Sequence, residues 1–465
     1  MPDYARITRV PFPAGEVFDW HLRPGASSRL TPDWLQMRPV DPLCAVESGV
    51  AAEFEMRLGP VPLRFRVGCR EIDHGRRIVQ AGSGPMWSFS HERLFRSVLA
   101  EQEPEGEQHA AEAACRLEER IHWQASGVRR LWPERRTVAA LSRLLDFRET
   151  RLERDLARHA SAASSGSMRI AITGASGLVG AALCSFLASG GHRVERLVRR
   201  PAASDRGEIF WDPARGEIDA ASLEGVDAVV HLAGANIAGR WTREYRRHIL
   251  ESRSVGTGLL AKTLASLSRP PRVLVSSSAI GFYGDTGGRV VDESAAAGEG
   301  FLAQVCRAWE AATLPLEDAG VRVVHLRTGI VLTPRGGALA RLLPPFRAGL
   351  GGPVGSGAQS MSWIAADDAI GAIHHCLTCD TLRGPVNATS PEPVSNAEFG
   401  RVLGRVLHRP TRLPLPAALV RMALGEMGEQ LLLASQSVAP ARLLDSGFRF
   451  ELPGLEAALR FALGR

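Results

Sequence analysis

Period-two alternation marks the first part of the chain as strand-rich. From Ala51 to Arg66 apolar residues recur at every second position, first Phe54, Met56 and Leu58, then Val61, Leu63 and Phe65. Cys115 to Trp123 repeats the pattern with Cys115, Leu117, Ile121 and Trp123. Trp132 to Ala157 then changes period, with Leu141, Leu144, Leu145 and Leu152 at helical spacing among Arg and Glu. Several strands closed by one long helix predict an α+β unit in which a curved sheet wraps a helix.

Past Met168 the rhythm alternates. Short apolar runs at Ile170–Thr173, Val194–Val198, Ala228–Leu232, Val273–Ser276 and Val321–Leu326 read as strands. Amphipathic stretches at Leu178–Ser189, Glu244–Ser266 and Phe301–Ala319 read as helices between them. This βαβ order predicts a doubly wound parallel sheet covered on both faces, a Rossmann-type α/β fold. From Pro410 the chain carries Pro414, Pro416, a helical stretch at Ala417–Leu424 and an aromatic pair, Phe448 and Phe450, which read as a small helical domain. The polar stretch from Arg158 to Ser167 reads as a linker. The expected organisation is thus residues 1–157, a linker at 158–167, a dinucleotide-binding domain at 168–409 and a helical domain at 410–465.

Composition narrows the class. In 465 residues, 45% hydrophobic and 23% charged content is that of a globular protein with two or three cores. Arginine interrupts every apolar run before it reaches bilayer length, and the first residues lack a signal-peptide pattern, so no membrane is expected and a cytoplasmic location is. The net charge of +6 is dispersed rather than striped, which argues against nucleic acid as a partner. Seven scattered cysteines form no disulfide framework. Cys376 and Cys379 make a C-x-x-C beside His374 and His375, but no second ligand pair follows, and Asp367–Cys379 reads as an amphipathic helix; no metal site is expected.

The chemistry sits at the first strand-to-helix junction after Met168. Gly174, Gly177 and Gly180 stand at G-x-x-G-x-x-G spacing, with Ser176, Leu178 and Val179 between them. The first glycine makes a tight turn, the second lets backbone N–H groups approach a pyrophosphate, and the third allows close packing of the helix. The second strand ends at Arg199 and Arg200, where an NAD site has an acid for the ribose 2′-hydroxyl. Arginines suit a 2′-phosphate instead, which points to NADP(H).

These features resemble known families. The runs Asp227–Ala235 and Val273–Gly284 are similar to extended short-chain dehydrogenase/reductases, the NAD(P)-dependent epimerase/dehydratase family. Closer still is an atypical branch of epimerase-family proteins. Its pattern is carried by Trp211-Asp212-Pro213, Arg240-Trp241-Thr242, Ser252-Arg253, Phe301 to Glu310, Leu326 to Leu332, Gly349 to Gly352, Ser362-Trp363-Ile364 and the closing helical domain. The resemblance implies that Leu232, Ala233, Gly234 and Arg253 also touch the cofactor. Upstream, Phe18 to Ala26, Arg29 to Pro32, Gly84 to Trp87 and Ser90-His91 resemble START and polyketide-cyclase domains of the helix-grip (SRPBCC) superfamily. That likeness implies an apolar ligand held between sheet and helix, although Trp20, Trp34 and Trp87 read equally as core.

One departure stands out. Typical members use a Tyr-x-x-x-Lys pair as general acid/base, with a serine orienting the substrate oxygen. Ser278 fits the serine. By the same likeness the pair falls on Leu302 and Cys306, with Glu310 beside them. The tyrosines are Tyr4, Tyr245 and Tyr283, followed four residues on by Thr8, Ile249 and Gly287, and the one lysine is Lys262; no Tyr-x-x-x-Lys exists in the chain. Tyr283 is then the candidate phenol, Cys306 a packed helix residue, and Asp292, Glu293 and Glu310 carboxylates more typical of caps and surfaces. Two readings follow: an NADP(H)-dependent oxidoreductase or epimerase acting on a small carbonyl or hydroxyl substrate, or an NADP(H)-binding sensor coupled to the first domain. The substrate and the oligomeric state are not legible in the sequence.

Overall fold

The computed structural model describes residues 3–58, 61–85, 87–98, 114–125, 134–162, 164 and 166–465. Met86 of the run Gly84 to Trp87, Trp132 and linker residues 163 and 165 lie outside them. The chain divides into two compact units, Met1–Ser164 with Cys184–His192 in the first, and Ser165–Leu183 with Arg193–Leu463 in the second.

The first unit is built on one seven-stranded antiparallel sheet. Its order is Asp3–Val10, Ala114–Ala125, Trp87–Val98, Arg77–Ser83, Val61–Asp73, Ala51–Leu58 and Met37–Pro39. The alternating run from Ala51 is a hairpin rather than one strand. Phe54 faces Phe65 and Met56 faces Leu63, which is why the apolar residues switch from even to odd positions. The helices Ala14–Leu22 and Glu134–Ser161 pack on one face, where Val17, Phe18 and Trp20, then Leu152 and Leu156, meet Ile78, Phe95 and Leu117. The long helix runs four residues into the expected linker, because Arg158 to Ser161 carry no helix breaker.

The second unit holds an eight-stranded sheet ordered Glu217–Ile218, Glu208–Asp212, Arg193–Val198, Arg169–Thr173, Ala228–His231, Val273–Ala279, Arg322–Thr328 and Gly384–Ala388. All neighbours are parallel except the Glu217–Ile218 edge. The chain winds outward one way from Arg169–Thr173, then crosses to Ala228–His231 and winds the other way. That reversal is the topological switch point of a Rossmann-like sheet. Ala171, Val229, Leu274 and Val323 of the sheet pack with Leu260, Ala261 and Leu264 of the helix Arg243–Ala265.

The single helix expected at Phe301–Ala319 is two, Phe301–Ala311 and Leu314–Asp318. Pro315 lacks the N–H that an uninterrupted helix needs and instead opens a new first turn. The helix from Ala417 continues to Gly428 across a kink at Gly425, whose φ is 57°. The C-terminal helical layer draws its core from both sides of Pro410: Phe399, Leu403 and Leu407 pack with Leu455, Leu459, Leu463 and Trp363. Among the described residues no helix is long and apolar enough to cross a membrane.

Candidate functional site

Ligands of open parallel sheets bind outside the strand C-termini at the switch point, and the glycine turn sits there. Gly174 has φ 66°, and a Cβ on it would stand 2.8 Å from the carbonyl carbon of Leu232. Gly177 N–H closes the turn on Gly174 O at 2.8 Å. A Cβ on Gly180 would fall 2.2 Å from the same oxygen, so the third glycine makes room for the turn itself as well as for the helix. Ser176, Gly177 and Leu178 are exposed, Val179 half-buried and Gly180 buried. The helix Leu178–Ser189 therefore presents its first-turn N–H groups, which have no intrahelical acceptor, beside a tight turn that side chains at these glycines would break.

A buried polar chain absent from the sequence reading pins this turn. Thr173 Oγ1 accepts from the N–H groups of Leu232 and Ala233 at 3.1 and 3.2 Å and pairs with His231 Nδ1 at 2.7 Å. His231 Nε2 meets Thr257 Oγ1 at 2.9 Å. Burial lowers the His231 pKa to about 4, so the ring is neutral. Thr173 and His231 stand opposite each other on adjacent strands, which brings their side chains together. Next to them Arg253 donates to Ala235 O at 3.0 Å and lies over the Trp309 ring at 4.9 Å. Its guanidinium carbon would be 3.2 Å from a Cβ on Gly234, so glycine there accommodates the arginine.

The two arginines after the second strand differ. Arg200 is exposed but grips the buried Glu208 carboxylate with two hydrogen bonds of 2.6 Å. Arg199 is exposed and makes no hydrogen bond or ion pair among the described residues. Of the pair, Arg199 is the one whose donors are uncommitted.

Two residues further along the strands, about 7 Å toward the C-terminal edge, lies a second network. Ser278, Arg327 and Asn387 are cross-strand partners on three neighbouring strands and so share a face. Ser278 Oγ donates to Glu310 Oε1 at 2.7 Å. Arg327 binds both Glu310 oxygens, Nε to Oε1 at 2.9 Å and Nη2 to Oε2 at 2.8 Å, and donates from Nη1 to the Tyr283 hydroxyl at 2.9 Å. That hydroxyl donates in turn to Asn387 Oδ1 at 2.7 Å. Arg327 also lies 3.4 Å over the Phe282 ring.

Tyr283 is buried, and burial raises its pKa against the opposing pull of Arg327. Its hydroxyl thus stays protonated and is committed at both its donor and an acceptor position. Glu310, read from the sequence as cap or surface, is instead the acceptor at the centre of the network. Leu302 and Cys306 are buried on the helix Phe301–Ala311; Leu302 Cβ would be 3.1 Å from a Cβ on Gly281, and Cys306 Sγ donates to Ala279 O at 3.6 Å. Burial pushes the Cys306 thiol up to about 11, which leaves it a packed, protonated side chain. Asp292 is a surface turn residue accepting from Ser294, whereas Glu293 is buried and accepts from Asn387 N–H at 2.9 Å. Arg327 and Asn387 were missed by the sequence reading. Their one signal is polar residues inside runs that otherwise read as buried parallel strand. Away from the site, Cys376 is buried on the helix Ala366–Thr378 and Cys379 follows its last residue.

Residues 170–387 match the NAD dependent epimerase/dehydratase family, and residues 415–462 match a domain of unknown function, DUF1731. Epimerase family protein Mb2239 of Mycobacterium bovis is 45% identical over 297 residues, which are 64% of this chain and 98% of that protein. The structure of a nucleoside-diphosphate sugar epimerase from Corynebacterium glutamicum is similar over 99% of this chain and 90% of its own, at 30% identity and a TM-score of 0.77. Human epimerase family protein SDR39U1 (isoform 2), solved with NADPH, is 36% identical with a TM-score of 0.59, over 64% of this chain and 99% of its own.

Proposed function

This chain belongs to the NAD-dependent epimerase/dehydratase family and is an NAD(P)-binding protein, and from that premise we propose that it is an NADP(H)-dependent oxidoreductase or epimerase acting on a small carbonyl or hydroxyl substrate. The observation that carries the NADP(H) reading is the uncommitted Arg199 at the end of the second strand, beside an Arg200 already held by Glu208. The glycine turn suits a pyrophosphate: Gly174 and Gly180 allow a close backbone turn that a Cβ at either would break, and the first-turn N–H groups of the helix Leu178–Ser189 stand beside it. The NADPH seen with human SDR39U1 supports the same cofactor. In this reading Gly174, Ser176, Gly177, Leu178, Val179 and Gly180 hold the pyrophosphate, Arg199 the 2′-phosphate, and Leu232, Ala233, Gly234 and Arg253 the middle of the dinucleotide.

When bound, NADP(H) supplies hydride exchange at a substrate carbon. The chain's own part is proton handling without a Tyr-x-x-x-Lys pair. Ser278 Oγ–H points at Glu310, so its lone pairs are turned toward an incoming hydroxyl. A substrate proton passes to Ser278 Oγ while the Ser278 proton passes to Glu310 Oε1; reduction of a carbonyl runs the same relay backward. Arg327 keeps Glu310 oriented, and Tyr283 positions Arg327 rather than exchanging protons itself. We also assign residues 1–157 to the helix-grip superfamily. Its sheet and long helix support that reading.

The test uses the purified full-length protein, NADPH and NADH binding, and absorbance loss over a panel of carbonyl compounds. Arg199→Ala is expected to weaken NADPH about 10- to 100-fold, the value of charge-assisted hydrogen bonds to one phosphate, and NADH by less than about 3-fold. Equal weakening of both would refute the 2′-phosphate assignment. Tight NADPH binding with no turnover on any carbonyl or hydroxyl compound would overturn the enzymatic reading.

A further inference from the structure

One edge of the antiparallel sheet in the first unit is the strand Asp3–Val10, which pairs on one side with Ala114–Ala125 and stands last in the strand order. Its side chains divide between two faces. Tyr4, Arg6, Thr8 and Val10 turn inward. Tyr4 packs against the cluster of Ile121 and Trp123, Val10 belongs to that of Phe18 and Leu117, and Arg6 is held by Asp146 and Glu149 of the long helix. Asp3, Ala5, Ile7 and Arg9 turn outward and are exposed, Ile7 to 59%.

This edge lacks the devices that stop a sheet from adding strands. Asp3–Val10 contains no proline, and its register with Ala114–Ala125 runs from end to end without a bulge. Every second residue of an edge strand turns its N–H and C=O away from the sheet, so a further strand has hydrogen bonds to make. The outward charges are unanswered as well. Arg9 stands opposite Arg116, which stands opposite Arg96, so three arginines lie in one row across three strands. Glu118 serves two of them, Arg116 at 3.2 Å and Arg96 at 3.6 Å. The side chains of Arg9 and Asp3 make no hydrogen bond or ion pair among the described residues. Like charges directly opposite on a sheet are destabilising, so the Arg9 end of the row favours an added acid.

We propose that this edge pairs with the same edge of a second copy of the chain, antiparallel about a two-fold axis at Arg6. Side chains directly opposite in an antiparallel pair lie on one face, so outward residues must meet outward residues. An axis at Arg6 sets Asp3 opposite Arg9 of the second copy and Ala5 opposite its Ile7, and the symmetry repeats both pairs. No other axis on the strand puts an acid opposite Arg9: one at Ala5 sets Asp3 against Ile7, and one at Ile7 sets Ala5 against Arg9. At the axis itself Arg6 meets its own copy, but each is already paired with Asp146 and Glu149. Read outward from the axis, the exposed face is thus self-complementary in both charge and apolar character, which is what selects a second copy over an unrelated strand. Pairing joins the two sheets into one and covers the exposed Ile7. Nothing in this inference depends on the NADP(H) reading.

The test exploits the symmetry. Sedimentation equilibrium of the full-length protein over a concentration series reads the association at low ionic strength, where exposed charges are least screened. Melting curves check that each variant folds. Asp3→Arg sets arginine against arginine at both ends of the interface, and Arg9→Asp sets acid against acid. Each variant alone is expected to associate at least about 10-fold more weakly than the parent. Mixed one to one, they place two arginines of one chain against two acids of the other, and association should return to within about 3-fold of the parent. The double variant Asp3→Arg/Arg9→Asp should associate like the parent. A parent that stays monomeric, single variants that associate like the parent, or a mixture no stronger than its components would each overturn the proposal.

Discussion

Glu310→Gln separates what the buried network does for stability from what it does for chemistry. The amide keeps an oxygen where Ser278 Oγ now donates at 2.7 Å, so that hydrogen bond can survive. Arg327, however, loses the charge that both its Nε and Nη2 now address, and its side chain is only 4% exposed. Removing one partner of a buried ion pair costs about 3–5 kcal/mol, because the other charge stays behind. With Glu310 itself 12% exposed, the lower end applies. A loss of about 3 kcal/mol should lower the melting temperature of a unit this size by about 5 °C. Adding Arg327→Met removes the stranded charge, so the double variant should recover most of the loss, a coupling of about 2 kcal/mol or more. Thermal and urea unfolding by circular dichroism measure the four corners of the cycle. Turnover per folded molecule should stay low in both Glu310→Gln variants, since the amide cannot take the Ser278 proton. Additive single effects, with coupling below about 0.5 kcal/mol, would refute the account of the network as a paired charge.

Other consequences are equally direct. Tyr283→Phe strands Asn387 Oδ1 and one Arg327 N–H and should cost about 1–3 kcal/mol in urea unfolding, while the folded fraction keeps most of its turnover; abolished turnover at unchanged stability would return Tyr283 to the role of acid. Gly180→Ala puts a Cβ 2.2 Å from backbone oxygen Gly174, so the turn must open and calorimetric NADPH affinity should fall at least about 10-fold, more than any effect on the first unit; parental affinity would contradict the cradle geometry. Arg200→Ala releases Glu208 and should lower the melting temperature with NADPH affinity reduced less than by Arg199→Ala; the reverse ranking would exchange the roles of the two arginines. His231 has its folded pKa lowered to about 4 from an ordinary 6.5, so the unfolded chain takes up the proton first. Its contribution is fully present above pH 6.5 and is lost as pH falls toward 4, by about 3 kcal/mol in all. His231→Gln should flatten the fall in urea midpoint between those pH values, and an unchanged slope would place the acid sensitivity elsewhere.

Periodicity made the parallel sheet legible because its strands are buried on both faces and its helices on one. It failed at the edge, where Glu208–Asp212 and Glu217–Ile218 are short and carry acids, and at Thr313, where one apolar period continues through a chain that breaks before Pro315. The glycine fingerprint was legible because Gly174 takes a positive φ and Gly177 and Gly180 each crowd the Gly174 carbonyl oxygen a few residues away. The arginines were legible in place but not in role. Only the pairing of the second strand with Glu208–Asp212 shows that Glu208 occupies Arg200 and leaves Arg199 unbonded.

The hydrogen-bond network around Glu310 lies beyond local reading for the same reason. Ser278, Arg327 and Asn387 meet because three parallel strands stack in one register, at sequence separations of 49 and 60 residues set by the intervening crossovers. A charged residue in an apolar strand run signals that a partner must exist, since the sheet buries it. It does not say which carboxylate answers, and Glu310 on a helix reads as solvent-facing until the helix is docked. The absence of Tyr-x-x-x-Lys is therefore informative in a specific way. Leucine and cysteine at those positions close the helix against the turn at Gly281, while the same helix, at Glu310 two turns further along, reaches the serine that the usual tyrosine would accompany. In the proposed relay the acid/base role therefore falls further along the same helix, at Glu310.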